Sequence, residues 1–230
     1  MIVVASGISG TGEKKYGTAL QELAKKRRRV VHIFNVGEMI LEQARKLGIR
    51  VTKEKVLNMH RDTIRALRAD VFDIILAELV KINNKKESAI INIHAAFYWK
   101  NQYVESVDYH YLSKINPDFY VNFLNNSDVV VSNLRKSSQW SFLFVDSEEK
   151  SIEKIMEWQT VEHLATTIVA NFSGKPVFIV PAGGSTEVLY RFVFERWRKV
   201  FYLGMPLTFM HGEDNAKARE RIEVFAEWLE

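Results

Sequence analysis

Glycines at positions 7, 10 and 12 lie in the stretch SGISGTGEKKYGT (6–18), between the apolar run Ile2–Ala5 and a helical segment carrying alanine and leucine. Glycine lets a chain turn tightly enough to aim successive backbone N–H groups at one point. A helix N-terminus just beyond adds partial positive charge, and together they cradle phosphate. The pattern GxxxxGK[ST] fits at Gly7 and Gly12 and then fails, with Glu13 in the lysine position and Lys14 in the hydroxyl position. A carboxylate there repels the outer phosphates, and the hydroxyl that helps hold magnesium is missing. Lys14 and Lys15 are the nearest cations along the chain to replace the lysine. Candidate nucleotide contacts are Gly7, Ser9, Gly10, Thr11, Gly12, Glu13, Lys14 and Lys15. The plain alternative is a glycine turn that holds no ligand.

Other residues with chemical potential are scattered. His94 ends an apolar run and suits either an acceptor contact or a structural hydrogen bond. FYWK (97–100) and YHY (109–111) bring aromatics together, for base stacking or for packing. VPAGGSTEV (180–188) closes a strand and opens a helix, with Ser185 or Thr186 as its cap. His32, His60, His110, His163 and His211 show no short metal-ligand spacing, so no histidine metal site is expected. The absence of cysteine excludes disulfides, cysteine-bound zinc and thiol catalysis. KKRRR (25–29) reads as the cationic end of a helix rather than a nucleic-acid surface.

The elements that must position these groups alternate. Apolar runs at Ile2–Ala5, Val30–Phe34, Ala89–Ile93, Phe119–Leu124 and Pro176–Val180 predict five strands, and helical periodicity separates most of them. The longest periodic stretch, Lys53–Ile82, predicts one helix; others are expected over Ser151–Phe172 and from Ser185 to about Arg198. Strand and helix in alternation imply right-handed crossovers and a parallel sheet covered on both faces, an α/β three-layer fold. Asn125–Lys150 is polar and long enough to suggest a lid-like excursion. One domain is expected over 1–198. A strand-helix extension at 199–230 is either a sheet edge or the start of a second domain. Lys plus Arg number 32 against 28 Asp plus Glu, a mild basicity that suits a small anionic ligand and argues against nucleic acid as partner. No apolar run reaches membrane-spanning length and no charged leader precedes the first strand, so a cytoplasmic protein is expected.

Four segments in register resemble the P-loop nucleoside and nucleotide kinases, particularly archaeal-type adenylate kinases. SGISGTGEKK is similar to that family's TGIPGVGKTT loop, FNVGEMI (34–40) to its NYG segment, IINIHA (90–95) to IVDTHA, and INPDFYVNF (115–123) to its LNPD stretch. The resemblance spans about residues 1–196. It implies a five-stranded parallel sheet ordered 2-3-1-4-5, with ATP as donor, magnesium as its ion, and a nucleoside or nucleotide as acceptor. It places Asn35, Gly37, Glu38 and Arg61 near the acceptor, Arg135 and Lys136 among lid cations, and Gly183, Gly184 and Ser185 against the base. Catalysis, if any, would fall to Lys14, Lys15 and Arg135. Asn92 stands where the family's third strand carries an aspartate for magnesium or its water shell, and an amide is a poorer ligand for that ion. With Glu13 and Asn92 both departing from the pattern, the expectation is a nucleotide-binding domain with weak or absent phosphoryl transfer. The alternatives are a working kinase that uses Lys14 or Lys15, and a non-binding interaction module. FYLGMPLT (201–208) also resembles the opening strand of nucleoside deoxyribosyltransferase-like domains.

Overall fold

A computed structural model describes residues 1–82 and 85–195. The expectations for 199–230 lie outside the described residues. The chain runs β1 (Ile2–Ser6), α1 (Glu13–Lys26), β2 (Val30–Asn35), α2 (Val36–Lys46), a 3₁₀ helix (Lys53–Asn58) and α3 (Arg61–Lys81). It continues through β3 (Glu87–Ile93), β4 (Ala96–Trp99), β5 (Gln102–Glu105), α4 (Tyr109–Ile115) and β6 (Phe119–Leu124). Then come α5 (Ser127–Leu134), a second 3₁₀ helix (Ser138–Phe144), α6 (Glu148–Phe172), β7 (Val177–Pro181) and α7 (Thr186–Phe194).

Five strands form one parallel sheet in the order β2-β3-β1-β6-β7. Counting only the strands of this sheet, that is the expected 2-3-1-4-5. The central strands are buried on both faces, which is why β1, β3 and β6 read as nearly unbroken apolar runs. One face packs Val4, Ile91 and Tyr120 against Ile40 of α2, Val71 and Ile75 of α3, Leu112 of α4 and Val169 of α6. The other packs Val3, Ile90 and Val121 against Leu20 of α1 and Leu189 and Val193 of α7. A third cluster joins Ile8 of the glycine loop to Val130 and Leu134 of α5, Trp140, and Ile155 and Trp158 of α6.

Three segments differ from expectation or refine it. The predicted helix Lys53–Ile82 is broken: Met59 and His60 are extended (ψ 156° and 139°), and the His60 imidazole accepts the Asp62 N–H (3.4 Å) to restart the chain as α3. Local capping outweighs the continuous apolar period there. FYWKNQYVE folds as the antiparallel hairpin β4–β5, turned at Lys100 and Asn101 with φ of 51° and 60°. Positive φ at both central residues marks the tight hairpin turn that matches strand twist. The interval 125–150 is two short helices with Val130, Val131, Leu134, Trp140 and Leu143 buried. Its polar composition concealed an apolar side that packs on the glycine loop. Within KKRRR, Arg27 pairs with Glu187 (2.8 Å) and lies over Tyr190, while Arg29 donates to the Lys85 carbonyl (3.3 Å).

Candidate phosphate loop and acceptor cleft

The loop between β1 and α1 leaves the middle of the sheet, at the carboxyl ends of its strands. Gly10 and Gly12 adopt φ of 85° and 100°, which side-chain-bearing residues rarely tolerate. A Cβ on Gly10 would also stand 2.9 Å from Leu134. The Thr11 N–H and hydroxyl both donate to the Ile8 carbonyl (3.2 and 2.7 Å). Amides brace the loop from outside: Asn133 Nδ2 donates to the Gly10 carbonyl (2.9 Å) and Asn125 Nδ2 to the Thr11 carbonyl (2.8 Å). Ser9 is half-buried in the same turn. The glycine turn is therefore tight, and two side-chain amides hold its carbonyls.

Its charges are arranged differently. The Gly12 N–H donates to Glu13 Oε2 at 3.1 Å, so the side chain in the lysine position folds back onto the loop and takes one of its own donors. Lys14 forms an ion pair with Glu38 of α2, with both side chains largely exposed. Lys15 is exposed and shares a shallow depression with Asn35. Asn92 Nδ2 donates to Asn35 Oδ1 at 2.8 Å across the paired ends of β3 and β2. Two amides satisfying one another make a neutral and weak donor set for magnesium. Among the described residues, no three His, Cys, Asp or Glu side chains are placed to hold a metal ion. The residues present do not fit a dedicated magnesium site.

The other predicted nucleotide contacts gather around the loop. Ser185 caps α7 by accepting the Glu187 N–H (3.2 Å), and its carbonyl accepts the Tyr16 hydroxyl of α1 (2.9 Å). Gly183 lies beside the Asn125 amide, 3.6 Å from where its Cβ would be, and Asn125 in turn holds Thr11. Gly184 lies tightly against Pro181, 3.0 Å from where its Cβ would be. Arg135 ends α5, next to the Leu134 that closes on Gly10; it pairs with Glu148 (3.4 Å) and lies over the Phe144 ring. Lys136 donates to Asn133 Oδ1 (3.1 Å).

A cleft of about 590 Å³ opens between α2, α3, the end of β3 and the β4–β5 hairpin. Gly37, Arg61 and His94 line it, together with Arg65 and Arg68 of α3. The motif RDTIRALR holds the signal for that row, because residues at i, i+4 and i+7 share one helix face. Arg68 donates to the Ser106 hydroxyl (3.1 Å). Burial pushes its guanidinium below the usual value, opposed by the Asp108 carboxylate. Phe97, Trp99 and Tyr103 line the same cleft, whereas Tyr111 of YHY stacks on Phe72 (5.2 Å) and serves packing. Asn35 and Glu38 are not among its walls; they meet the loop side through Asn92 and Lys14.

Sequence reading missed Glu162. It is buried in α6, and its carboxylate accepts three backbone N–H groups: Gly7 (3.1 Å), Ala95 (2.7 Å) and Ala96 (2.6 Å). His94 Nδ1 donates to the Gly7 carbonyl at 2.6 Å, and its ring packs on Phe97 (4.6 Å between centroids). Burial pushes the Glu162 carboxyl above the usual carboxylate range, opposed by His94 and the three amides. The one signal available was a charge on the buried stripe Ile155, Trp158, Glu162, Thr166 and Val169.

A glycine loop between the central strand and first helix of a parallel sheet in this order defines a P-loop nucleotide-kinase-like fold. The sequence pattern of the AAA domain family matches residues 6–153, and the chain belongs to that family. It is also 25% identical over 188 residues to the adenylate kinase of Methanopyrus kandleri, covering 78% of this chain and 87% of that protein. Among solved structures, shikimate kinase from Bacteroides thetaiotaomicron superposes with a TM-score of 0.48 at 12% identity, over 86% of this chain and 96% of that one. Shikimate kinase from Aquifex aeolicus gives 0.44 at 11% identity, with coverage of 86% and 96%. Among the described residues no helix is long and apolar enough to cross a membrane.

Proposed function

We propose that this chain is a nucleotide-binding, adenylate-kinase-like domain whose phosphate loop is degenerate and whose phosphoryl transfer is weak or absent. The observation that carries this is the Glu13 carboxylate lying on the Gly12 N–H, where an anionic ligand would be received. An incoming phosphate must displace that carboxylate and meets its charge at close range. Lys14, engaged with Glu38, supplies no free cation at the same point, and the Asn35–Asn92 pair replaces a carboxylate for magnesium. Phosphoryl transfer depends on neutralising charge and positioning the reactants, so these substitutions remove much of what accelerates it. The row Arg61, Arg65 and Arg68 supports an acceptor that itself carries phosphate, a nucleotide rather than a nucleoside. The aromatic wall beside it suits a base.

Calorimetric titration of ATP, with and without magnesium, tests the reading on wild-type protein and Glu13→Gln. The wild type is expected to bind ATP weakly and with little response to magnesium. Glu13→Gln, which removes the charge and leaves the loop geometry, is expected to bind more tightly. Tight, magnesium-dependent binding by the wild type would instead favour a working kinase in which Lys15, exposed beside Asn35, replaces the missing lysine.

A further inference from the structure

Glu162 is the one carboxylate on the buried stripe of α6, and each of its hydrogen bonds reaches a backbone that borders a ligand site. Gly7 begins the phosphate loop; Ala95 and Ala96 begin the hairpin that walls the acceptor cleft. Gly7 is held through both of its flanking peptide groups, its N–H by Glu162 and its carbonyl by His94. Since His94 Nδ1 is committed to that carbonyl, Nε2 is the ring nitrogen left for a ligand in the cleft that His94 lines. Trp158, one turn earlier on α6, donates to the Ala96 carbonyl (2.9 Å), so the same helix also holds the other side of this connection. Thr166, one turn later, meets the Ser6 hydroxyl (2.6 Å) just before the loop.

A hydrophobic side chain at 162 would pack in a helix that faces the sheet, but three amide N–H groups would then be buried without acceptors. Only a carboxylate offers oxygens enough for all three. A carboxamide keeps one acceptor and turns an N–H₂ toward a donor.

We infer that Glu162 is a positioning residue that ties the phosphate loop to the acceptor cleft, fixing the His94 tautomer and making occupancy of one site felt at the other. It acts through the backbone of Gly7 and the 94–96 connection, without touching either ligand. The part concerning ligands rests on the nucleotide-binding reading above; the tautomer does not.

The experiment has two arms on the full chain, comparing wild type, Glu162→Gln and Thr166→Val. Nitrogen-15 NMR of the His94 ring, without ligand, should show the Nδ1–H tautomer in wild type and Thr166→Val, and mixed tautomers in Glu162→Gln. Calorimetry of ATP with and without saturating AMP should show a change in ATP affinity of about fivefold or more in wild type and Thr166→Val. In Glu162→Gln that factor should fall below about twofold, while each nucleotide alone still binds. The inference is overturned if Glu162→Gln keeps both the tautomer and the coupling, if wild type binds both nucleotides without coupling, or if Thr166→Val causes the same losses. If wild type binds neither nucleotide, the nucleotide-binding reading fails and the tautomer arm alone decides the role of Glu162. Should Glu162→Gln not fold, His94→Gln leaves the carboxylate and its three amides in place and is expected to abolish coupling; retained coupling there overturns the inference.

Discussion

Glu13 follows a turn that keeps positive φ at Gly10 and Gly12 and opens directly into α1. Its carboxylate on the Gly12 N–H is a local solution: the helix N-terminus favours a negative charge, and the side chain provides one. Replacing Glu13 by Lys exchanges repulsion for attraction. At 4 Å and an effective dielectric near 20, one such contact amounts to roughly 4 kcal/mol before desolvation and reorganisation. The net gain should be on the order of 1–2 kcal/mol, or about tenfold in ATP affinity. Adding Asn92→Asp should create a magnesium dependence, because it puts a carboxylate at the strand end where a neutral amide now pairs with Asn35. Isothermal titration of the double variant checks both statements. Unchanged binding in a folded double variant would place the phosphates elsewhere.

At the scale of elements, α1 and α7 are the pair that cover the second face of the sheet, and a cluster of charges joins them. Arg27 binds Glu187 through two nitrogens (2.9 and 2.8 Å), and Arg191 reaches the same carboxylate (3.1 Å). Arg27 holds the Glu187 carboxyl below the ordinary carboxylate value, with Arg191 adding to it and desolvation opposing. A carboxyl whose folded-state value is depressed stabilises the fold above its unfolded value and loses that contribution as pH falls through the folded one. Glu187→Gln should therefore lower Tm at neutral pH, by only roughly 1–2 °C because the pair is solvent-exposed. The difference from wild type should shrink as pH falls below 4.5, the ordinary value, and then close. Thermal scans across pH measure it; a constant difference at all pH values would assign the effect to α7 helix capping instead.

At the scale of the described molecule, the glycine loop and the α3 cleft differ in charge. The loop already holds a carboxylate, whereas the cleft opposite carries Arg61, Arg65 and Arg68 against Glu105 and Asp108. A ligand that binds only the folded state raises stability by mass action, about 2.7 kcal/mol at one hundred times its dissociation constant. AMP should accordingly raise Tm more than adenosine at equal concentration, and Arg65→Ala should reduce the excess while leaving the unliganded Tm nearly unchanged. Differential scanning fluorimetry reads both. Equal shifts for AMP and adenosine would show that the arginine row does not meet a phosphate.

The amino-acid sequence determined the alternation of buried strands and helices, the glycine turn, and the Ser185 cap, because each depends on neighbours a few residues apart. The Lys100–Asn101 hairpin was legible too, in two aromatic and β-branched runs about a polar pair, although the sequence reading passed over it. The arginine row was equally present in RDTIRALR, but only the cleft beside α3 gives the spacing a meaning. The tertiary structure alone decided which polar groups meet. Lys14 and Glu38 are 24 residues apart, Asn35 and Asn92 57, and Gly7 and Glu162 155. No local period encodes such pairs. They arise where a parallel sheet brings the ends of β1, β2 and β3 level with one another, and where α6, packed against β1, β4 and β6, turns a carboxylate inward.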